Sequence, residues 1–400
     1  MWRLHDTIQH YAWGSRDALA RLRGHAAPTS EPEAELWMGA HPRAPSRLEH
    51  AEGRSLLEAI EAEPALMLGA PSLARFGPRL PFLLKVLAAA EPLSLQAHPD
   101  AARAREGCAR EDAAGLPRDA PDRSYRDPFA RPELVCALGP FTALCGFRDV
   151  DQTRALVDTL AVPALRERAE PLWTMAPGDA LAALVGDLLT LPRPSPLVDA
   201  VVRAAAAHPG GPWARERAWA VRLGQHYPGD PGVVVALLLN LVELRTGEAL
   251  YLSAGRLHCY LQGTAVEIMG SSDNVLRGGL TPKHVDVPEL LQVLDRQAGP
   301  VPVVRPQPVS EHEAAYPTPA PAFALSTLEL RAGQRWSAPL VGPELVLCTA
   351  GRARLHGGSA PVSLGPGQSA FVPGSAAARA IDTDAGATLF RATVGSAEPE

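Results

Sequence analysis

The run Gly255-Arg256-Leu257-His258-Cys259-Tyr260-Leu261-Gln262-Gly263-Thr264-Ala265-Val266-Glu267 holds two short β-like segments, 257–261 and 265–269, either side of a glycine. Alternation along the first puts His258 and Tyr260 on one face. Gly263 marks a turn, so the reading is a hairpin that returns through Glu267. A histidine and an acid placed this way face the inner wall of a small β-barrel. The stretch therefore predicts a β-rich fold with polar side chains turned inward.

Similar patterns lie upstream. Pro81–Leu87 is a strand candidate, and Leu93–His98 is another, in which Gln96 and His98 stand at i and i+2 and share a side. Pro132-Glu133-Leu134-Val135 sets a carboxylate at the entrance of an apolar strand. Singly these carry little: buried polar pairs mostly serve the local backbone, and most glutamates are solvated. Together Gln96, His98, Glu133 and His258 offer two imidazoles, a carboxylate and an amide oxygen. That set suits a borderline divalent metal such as zinc, with one position open for water or substrate.

Directly after the presumed hairpin comes Ser271-Ser272-Asp273-Asn274-Val275-Leu276-Arg277-Gly278-Gly279-Leu280-Thr281-Pro282-Lys283. Asp-Asn and Gly-Gly force turns there. Arg277 and Lys283 are then two cations beside the metal candidates, able to hold a phosphate or an oxyanion.

Farther out the chain changes character. In 151–245, Leu181, Leu184, Val185, Leu188 and Leu189 fall on one helical stripe, as do Leu156, Val157 and Leu160. Val234–Leu244 fits a buried helix, so this block reads as helical. Residues 300–321 are proline-rich and read as a linker. After them, short apolar segments alternate with glycine turns to about residue 395, which suggests a β-sandwich or small barrel.

Composition narrows the class. Four hundred residues make more than one packed unit the default. A net charge of −6 gives no electrostatic footprint for nucleic acid. The longest apolar run, Val233–Leu239, falls well short of the ~20 residues that span a bilayer. The first six residues lack a secretory signal pattern, and five scattered cysteines make no disulfide framework. The expectation is a cytoplasmic protein with neither membrane nor nucleic-acid partners, and a monomer by default.

Six stretches then match a known family in its own order: Tyr11–Ser15, Ala34–Gly39, Leu95–Asp100, Pro132–Leu134, Cys145–Arg148 and Glu267–Lys283. On these the chain resembles the type I mannose-6-phosphate isomerases, zinc-dependent proteins with cupin-type β-barrels. The resemblance spans roughly 1–295; beyond about 320 it rests on position and strand pattern alone. It implies one zinc per chain, bound by Gln96, His98, Glu133 and His258. It also implies that Arg277 is an active residue, and that Lys283, Glu267, Asp273, Tyr260, Ser94, Lys85, Glu35 and Trp13 surround the cleft. The chain departs from many relatives at Ala130-Arg131, where they carry His-Lys, and at Ala101, where they carry Lys. Arg131 keeps the charge and is counted among the substrate-binding candidates.

The implied fold class is mainly β: two cupin-type barrels or sandwiches with an inserted α-helical domain. The expected division is 1–150 and 246–300 for the catalytic barrel, 151–245 for the insert, 301–321 for the linker, and 322–400 for the C-terminal domain. The implied activity is aldose–ketose isomerisation of mannose 6-phosphate and fructose 6-phosphate through a cis-enediol, in the carbohydrate metabolism that leads to GDP-mannose. Glu267 and Lys283 are both candidates for moving the proton. Lys283 qualifies only if burial or a neighbour such as Arg277 lowers its pKa. His41 reads as structural because Pro42 fixes a turn beside it, and His284 faces away from Lys283. The C-terminal part lacks a paired-histidine signature, His356 being its one histidine after residue 330. Two other readings stand alongside: an isomerase of the same kind for another sugar, which the Ala130-Arg131 departure keeps open, and a non-catalytic metal-binding sugar sensor. The joint presence of Glu267, Asp273, Arg277 and Lys283 speaks against the sensor.

Overall fold

The computed structural model describes residues 1–51, 53–358, 360–376 and 379–396. The protein is mainly β: the described residues form 22 strands in three sheets, together with 13 helices. The site depends on the ten-stranded sheet. Its early strands follow β1 (Trp2–His5) and are β2 (Thr7–Gln9) and β3 (Glu35–Met38); a two-residue β4 (Arg47–Leu48) pairs with β1 outside it. The sheet then takes in β5 (Phe82–Ala89), β6 (Gln96–Ala97), β7 (Glu133–Ala137), β8 (Phe141–Phe147), β9 (Leu239–Leu244), β10 (Ala249–Leu252), β11 (His258–Gly270) and β12 (Leu276–Arg277).

The quoted stretch is where the structure departs most from its sequence reading. It is no hairpin. β11 is one continuous strand of 13 residues. Its first part pairs with β6 and β8, and its second with β5 and β7. The register slips between Tyr260 and Gln262, and Gly263 follows with φ +127. A Cβ on Gly263 would stand 2.6 Å from the Pro140 carbonyl oxygen. The glycine thus bends a strand past a neighbouring backbone without reversing it. Local sequence marks such a glycine as a turn because the partner strands that hold the chain straight come from 80–147.

Three further expectations change. The apolar run 234–244 splits into a short helix, Gly232–Ala236, and strand β9, which pairs with β8. A near-continuous apolar run does not declare its period; Asn240 fits the strand, donating from Nδ2 to the Gly299 carbonyl at 2.9 Å. The candidate strand Leu93–His98 contracts to the two residues of β6. The proline-rich 300–321 carries strands Gln307–Pro308 and Glu313–Tyr316, the second paired with Ala324–Leu330.

Seven helices lie between Val150 and Ala236 among the described residues. In Pro177–Leu189 proline opens the first turn and Asp179 complements the helix dipole there. Its stripe Leu181, Leu184, Val185 and Leu188 is fully buried. These side chains join one core with Leu95, Leu257, Cys259 and Leu276 of the site-bearing sheet. Each buried leucine contributes about 1.5–3 kcal/mol, so the helices brace the segments that carry the polar residues.

The eight-stranded sheet is built from residues beyond 306 together with β1 and β4, where Trp2 pairs with Phe371 and Arg3 with Ala370. Leu36, Leu84 and Val86 of the first sheet share a core with Leu345 and Phe371 of the second. All five cysteines are free and buried. No helix among the described residues is long and apolar enough to cross a membrane.

Candidate metal centre and active site

His98 follows β6, Glu133 opens β7 and His258 opens β11. Their ligand atoms all lie within 4.8 Å of one another, and all three side chains are buried. The outer ring nitrogens are taken. Nδ1 of His98 lies 2.8 Å from the Asn274 carbonyl oxygen, and Nδ1 of His258 lies 2.8 Å from that of Arg256. A carbonyl only accepts, so each Nδ1 carries the hydrogen and each Nε2 presents a lone pair. Both Nε2 atoms are buried without a hydrogen-bond partner, each 3.3 Å from a different oxygen of Glu133. Two lone pairs and a carboxylate converging in a dry place repel unless a cation lies among them. This donor set fits a zinc-type ion, and the backbone bonds at Nδ1 are the usual orienting contacts of metal-bound histidine.

Electrostatics agree. Burial pushes His98 down to about 4, which keeps it neutral. Burial pushes Glu133 up, but its neighbours outweigh it, Arg131 being the permanent cation among them, and the carboxyl is held well below its ordinary value. Arg131 donates from Nε to Glu133 Oε1 at 2.8 Å. Gln96 pairs directly with His258 on one side and Arg277 on the other.

A cavity of about 540 Å³ opens beside this centre. Trp13, Glu35, Lys85 and Ser94 line it, as do Gln96, Arg131, Asp273, Arg277 and Lys283. Tyr260 and Glu267 do not. They lie buried behind it: the Tyr260 hydroxyl donates to Glu267 Oε1 at 2.8 Å, and Lys85 Nζ lies 3.1 Å from Oε2. Lys85 also reaches Glu35 at 3.5 Å. Burial pulls the Lys85 ammonium down, but Glu267 and Glu35 win and its pKa is raised, so it stays charged. Burial raises Glu267 against the pull of Lys85.

The cations of the 271–283 segment behave otherwise. Burial, then Arg126 and Arg131, lower Arg277. Burial, then Arg277, Arg126 and Arg43, lower Lys283. Both shifts run in the direction that favours release of the proton, and Lys283 stays exposed at the cavity.

Several cavity residues escaped the sequence reading. His41, read as structural, lines the cavity; its Nδ1 accepts from the Arg43 amide and its Nε2 lies 3.6 Å from Asp273. It stands apart from the metal cluster. Trp37 donates to Glu35 at 2.6 Å. Arg126 adds a third cation beside Arg277 and Lys283. Asn274 does more than turn the chain: its side-chain oxygen accepts from the amides of Arg126 and Asp127, while its carbonyl orients His98.

The helical segment contributes directly. Tyr227 lines the cavity and donates to the Pro92 carbonyl at 2.7 Å. Arg193 donates to the Thr281 carbonyl at 3.0 Å, and Asp230 accepts from the Thr281 amide at 3.3 Å. A Cβ on Gly232 would lie 2.5 Å from the Leu280 amide nitrogen, and Leu280 itself adopts φ +54. The loop bearing Lys283 is thus held in a strained shape from outside.

Comparison with known proteins accords with this site. The family model "Phosphomannose isomerase type I, catalytic domain" matches residues 1–150. Mannose-6-phosphate isomerase of Escherichia coli strain K12 is 40% identical over 379 residues, covering 93% of this chain and 94% of its own length. Mannose-6-phosphate isomerase 2 of Arabidopsis thaliana is 30% identical over 426 residues, covering 98% and 93%. A crystal structure of mannose 6-phosphate isomerase bound with zinc and yttrium superposes with a TM-score of 0.87 at 37% identity, covering 98% of this chain and 99% of that one. A zinc-bound holo form gives 0.88 at 37% identity over the same shares. With a shared fold along nearly its whole length and the polar cluster at its centre, the chain belongs to the type I phosphomannose isomerase family.

Proposed function

We propose that this protein interconverts mannose 6-phosphate and fructose 6-phosphate, with one zinc ion held by His98, Glu133, His258 and Gln96. The observation that carries the reading is the pair of buried, unpartnered Nε2 atoms facing the Glu133 carboxylate. When bound, zinc supplies Lewis-acid polarisation of a substrate oxygen. The chain's own residues supply the rest.

Isomerisation removes the proton from C2 of the opened aldose and delivers one to C1, while the carbonyl moves from C1 to C2 through a cis-enediol. Lys283 is the proton carrier in this scheme, because it lines the cavity with Arg277, Arg126 and Arg43, cations that favour its losing a proton. Glu267, with both oxygens engaged, holds Lys85 in place. Arg277 stabilises the charge that develops on the enediolate oxygens. Arg126 gathers positive potential for the phosphate, and Trp13, Glu35, Ser94, Arg131 and Asp273 hold the sugar.

The fold reading belongs to the same proposal. Residues 1–150 and 246–300 make a cupin-type catalytic barrel interrupted by a helical insert, 151–245. The segment 301–321 leads to a second, metal-free cupin-like unit from 322 onward, to which β1 and Glu313–Tyr316 lend strands. The same reading takes the protein as a cytoplasmic monomer.

The test is an isomerisation assay on mannose 6-phosphate before chelation, after it, and after zinc add-back. Activity lost and then restored supports reaction and metal together. Stoichiometric zinc without turnover on this substrate sinks the substrate assignment, and full turnover in metal-free protein sinks the zinc.

A further inference from the structure

A buried imidazole ordinarily has both ring nitrogens occupied. His41 has one. It follows β3 in a turn closed by the Ala44 amide on the His41 carbonyl at 3.0 Å, and its ring meets that of Trp37 edge-on at 4.9 Å. Nδ1 accepts from the Arg43 amide at 3.3 Å, so the hydrogen of the neutral ring sits on Nε2. Burial pulls His41 down to about 4 against the opposing pull of Asp273, which keeps the ring in that neutral form. Among the described residues Nε2 has no hydrogen-bond partner. It faces Asp273 Oδ2 at 3.6 Å, beyond hydrogen-bond reach.

Asp273 is held from its other side. Oδ1 takes Arg43 Nη1 at 3.3 Å and the Asp273 amide donates to Asp127 Oδ2 at 2.8 Å, which leaves Asp273 Oδ2 toward His41. Both side chains line the catalytic cavity. Unlike the metal-facing Nε2 atoms of His98 and His258, that of His41 is not sealed from solvent.

An N–H donor and a carboxylate acceptor fixed side by side, without bonding each other, match one kind of group. A hydroxyl accepts and donates through a single oxygen, and that oxygen can stand roughly 2.8–3.0 Å from both ends of the gap. A carbonyl would leave Oδ2 unserved, and an ammonium would leave Nε2 unserved. The geometry points to His41 and Asp273 as a clamp for one hydroxyl of the substrate, with His41 a specificity-determining residue. The clamp rests on the isomerase reading, in which the oxygens at C1 and C2 react and that at C6 carries the phosphate. The clamped group is then the hydroxyl at C3, C4 or C5.

The probe is mannitol 6-phosphate, an open-chain polyol with no carbonyl to isomerise, titrated calorimetrically into zinc-loaded full-length protein beside its 3-, 4- and 5-deoxy forms. At least one deoxy form should bind about tenfold or more weakly than the parent, because it leaves both clamp groups unpaired. His41→Phe keeps a ring against Trp37 and removes the donor, so it should weaken the parent about tenfold. The same variant should leave unchanged the affinity for the deoxy form that lacks the clamped hydroxyl. His41→Gln, which can offer an N–H, should recover most of the loss. Asp273→Ala, at a less buried position, should single out the same deoxy form and serves if His41→Phe does not fold. Overturning results are no saturable binding of the parent, equal binding of all four compounds, a variant loss that is the same for all four, or different deoxy forms singled out by the two variants. Binding is read without turnover, so the clamp can fail while the isomerisation assay succeeds.

Discussion

Lys85 and Glu267 form an ion pair at 3.1 Å with both side chains sealed from solvent. They sit opposite each other in the β5–β11 register, so the strand pairing itself delivers the contact. Removing Glu267 leaves the buried Lys85 with only its longer contact to Glu35, at 3.5 Å. Glu267→Ala should therefore destabilise the zinc-loaded protein by about 3–5 kcal/mol. Tyr260→Phe removes one hydrogen bond to the same acid and should cost only about 1 kcal/mol. Urea unfolding of the two variants separates these cases, and equal losses would mean that the pair is not what holds the cavity's back wall.

Arg277 stands next to Gln96 but outside the cluster of His98, Glu133 and His258. Arg277→Ala should leave zinc stoichiometry unchanged and cut turnover about 10²–10³-fold, as for other lost oxyanion donors. Metal analysis beside the assay decides it. Loss of zinc in this variant would mean that Arg277 supports the metal and not the reaction.

The Asp230 grip on Thr281 should be visible in catalysis although Asp230 is absent from the cavity lining. Asp230→Ala frees the Leu280–Lys283 loop, and a displacement of about 1 Å is enough to lower kcat/KM about 10²-fold. Zinc content should be unaffected. Wild-type kinetics in this variant would show that the loop keeps its shape unaided.

Asp6 gives a pH signature. Its carboxylate accepts from Ser46 at 2.7 Å and from Ser369 at 2.6 Å, and burial nevertheless pushes it up to about 6. Below about pH 4 both folded and unfolded chains hold this proton; between about 4 and 6 only the folded chain does. The contribution of Asp6 to stability therefore falls as pH rises through that window, by about 3 kcal/mol at most, and is flat above it. Stability measured by urea at several pH values in wild type and Asp6→Asn gives the difference directly. Parallel curves would rule this contribution out.

Much of the site was legible in the sequence because donor type and short spacing carry the information. Gln96, His98 and Glu133 carry little singly and point to a metal only when taken with His258, whereas the polar run from 267 to 283 stands out within a few residues. The missing parts are those made by distance. Tyr227 reaches the cavity, and Asp230 the loop beside it, from a helical segment whose visible pattern is apolar. Arg126 joins Arg277 only because Asn274 ties the two loops together. His41 sits beside a proline turn, and nothing local tells that Asp273 faces it. The bent strand at Gly263 was misread because the strands that hold it straight come from 80–147, and the strand within 234–244 because a near-continuous apolar run does not declare its period.

The pairing of β1 with strand Ser369–Val372 has a consequence for how the chain is made. Residues 2–5 leave the ribosome long before their partner, which follows more than three hundred residues later. At roughly 5–20 residues per second, that edge stays open for tens of seconds during synthesis. His98, Glu133 and His258 have all been made by then. The step that closes the second sheet is a docking of two distant segments across a very long loop, a slow event by the logic of contact order. A nascent chain stalled short of residue 369 would carry every residue of the metal centre and an unsealed sheet edge, the exposed feature through which such intermediates associate.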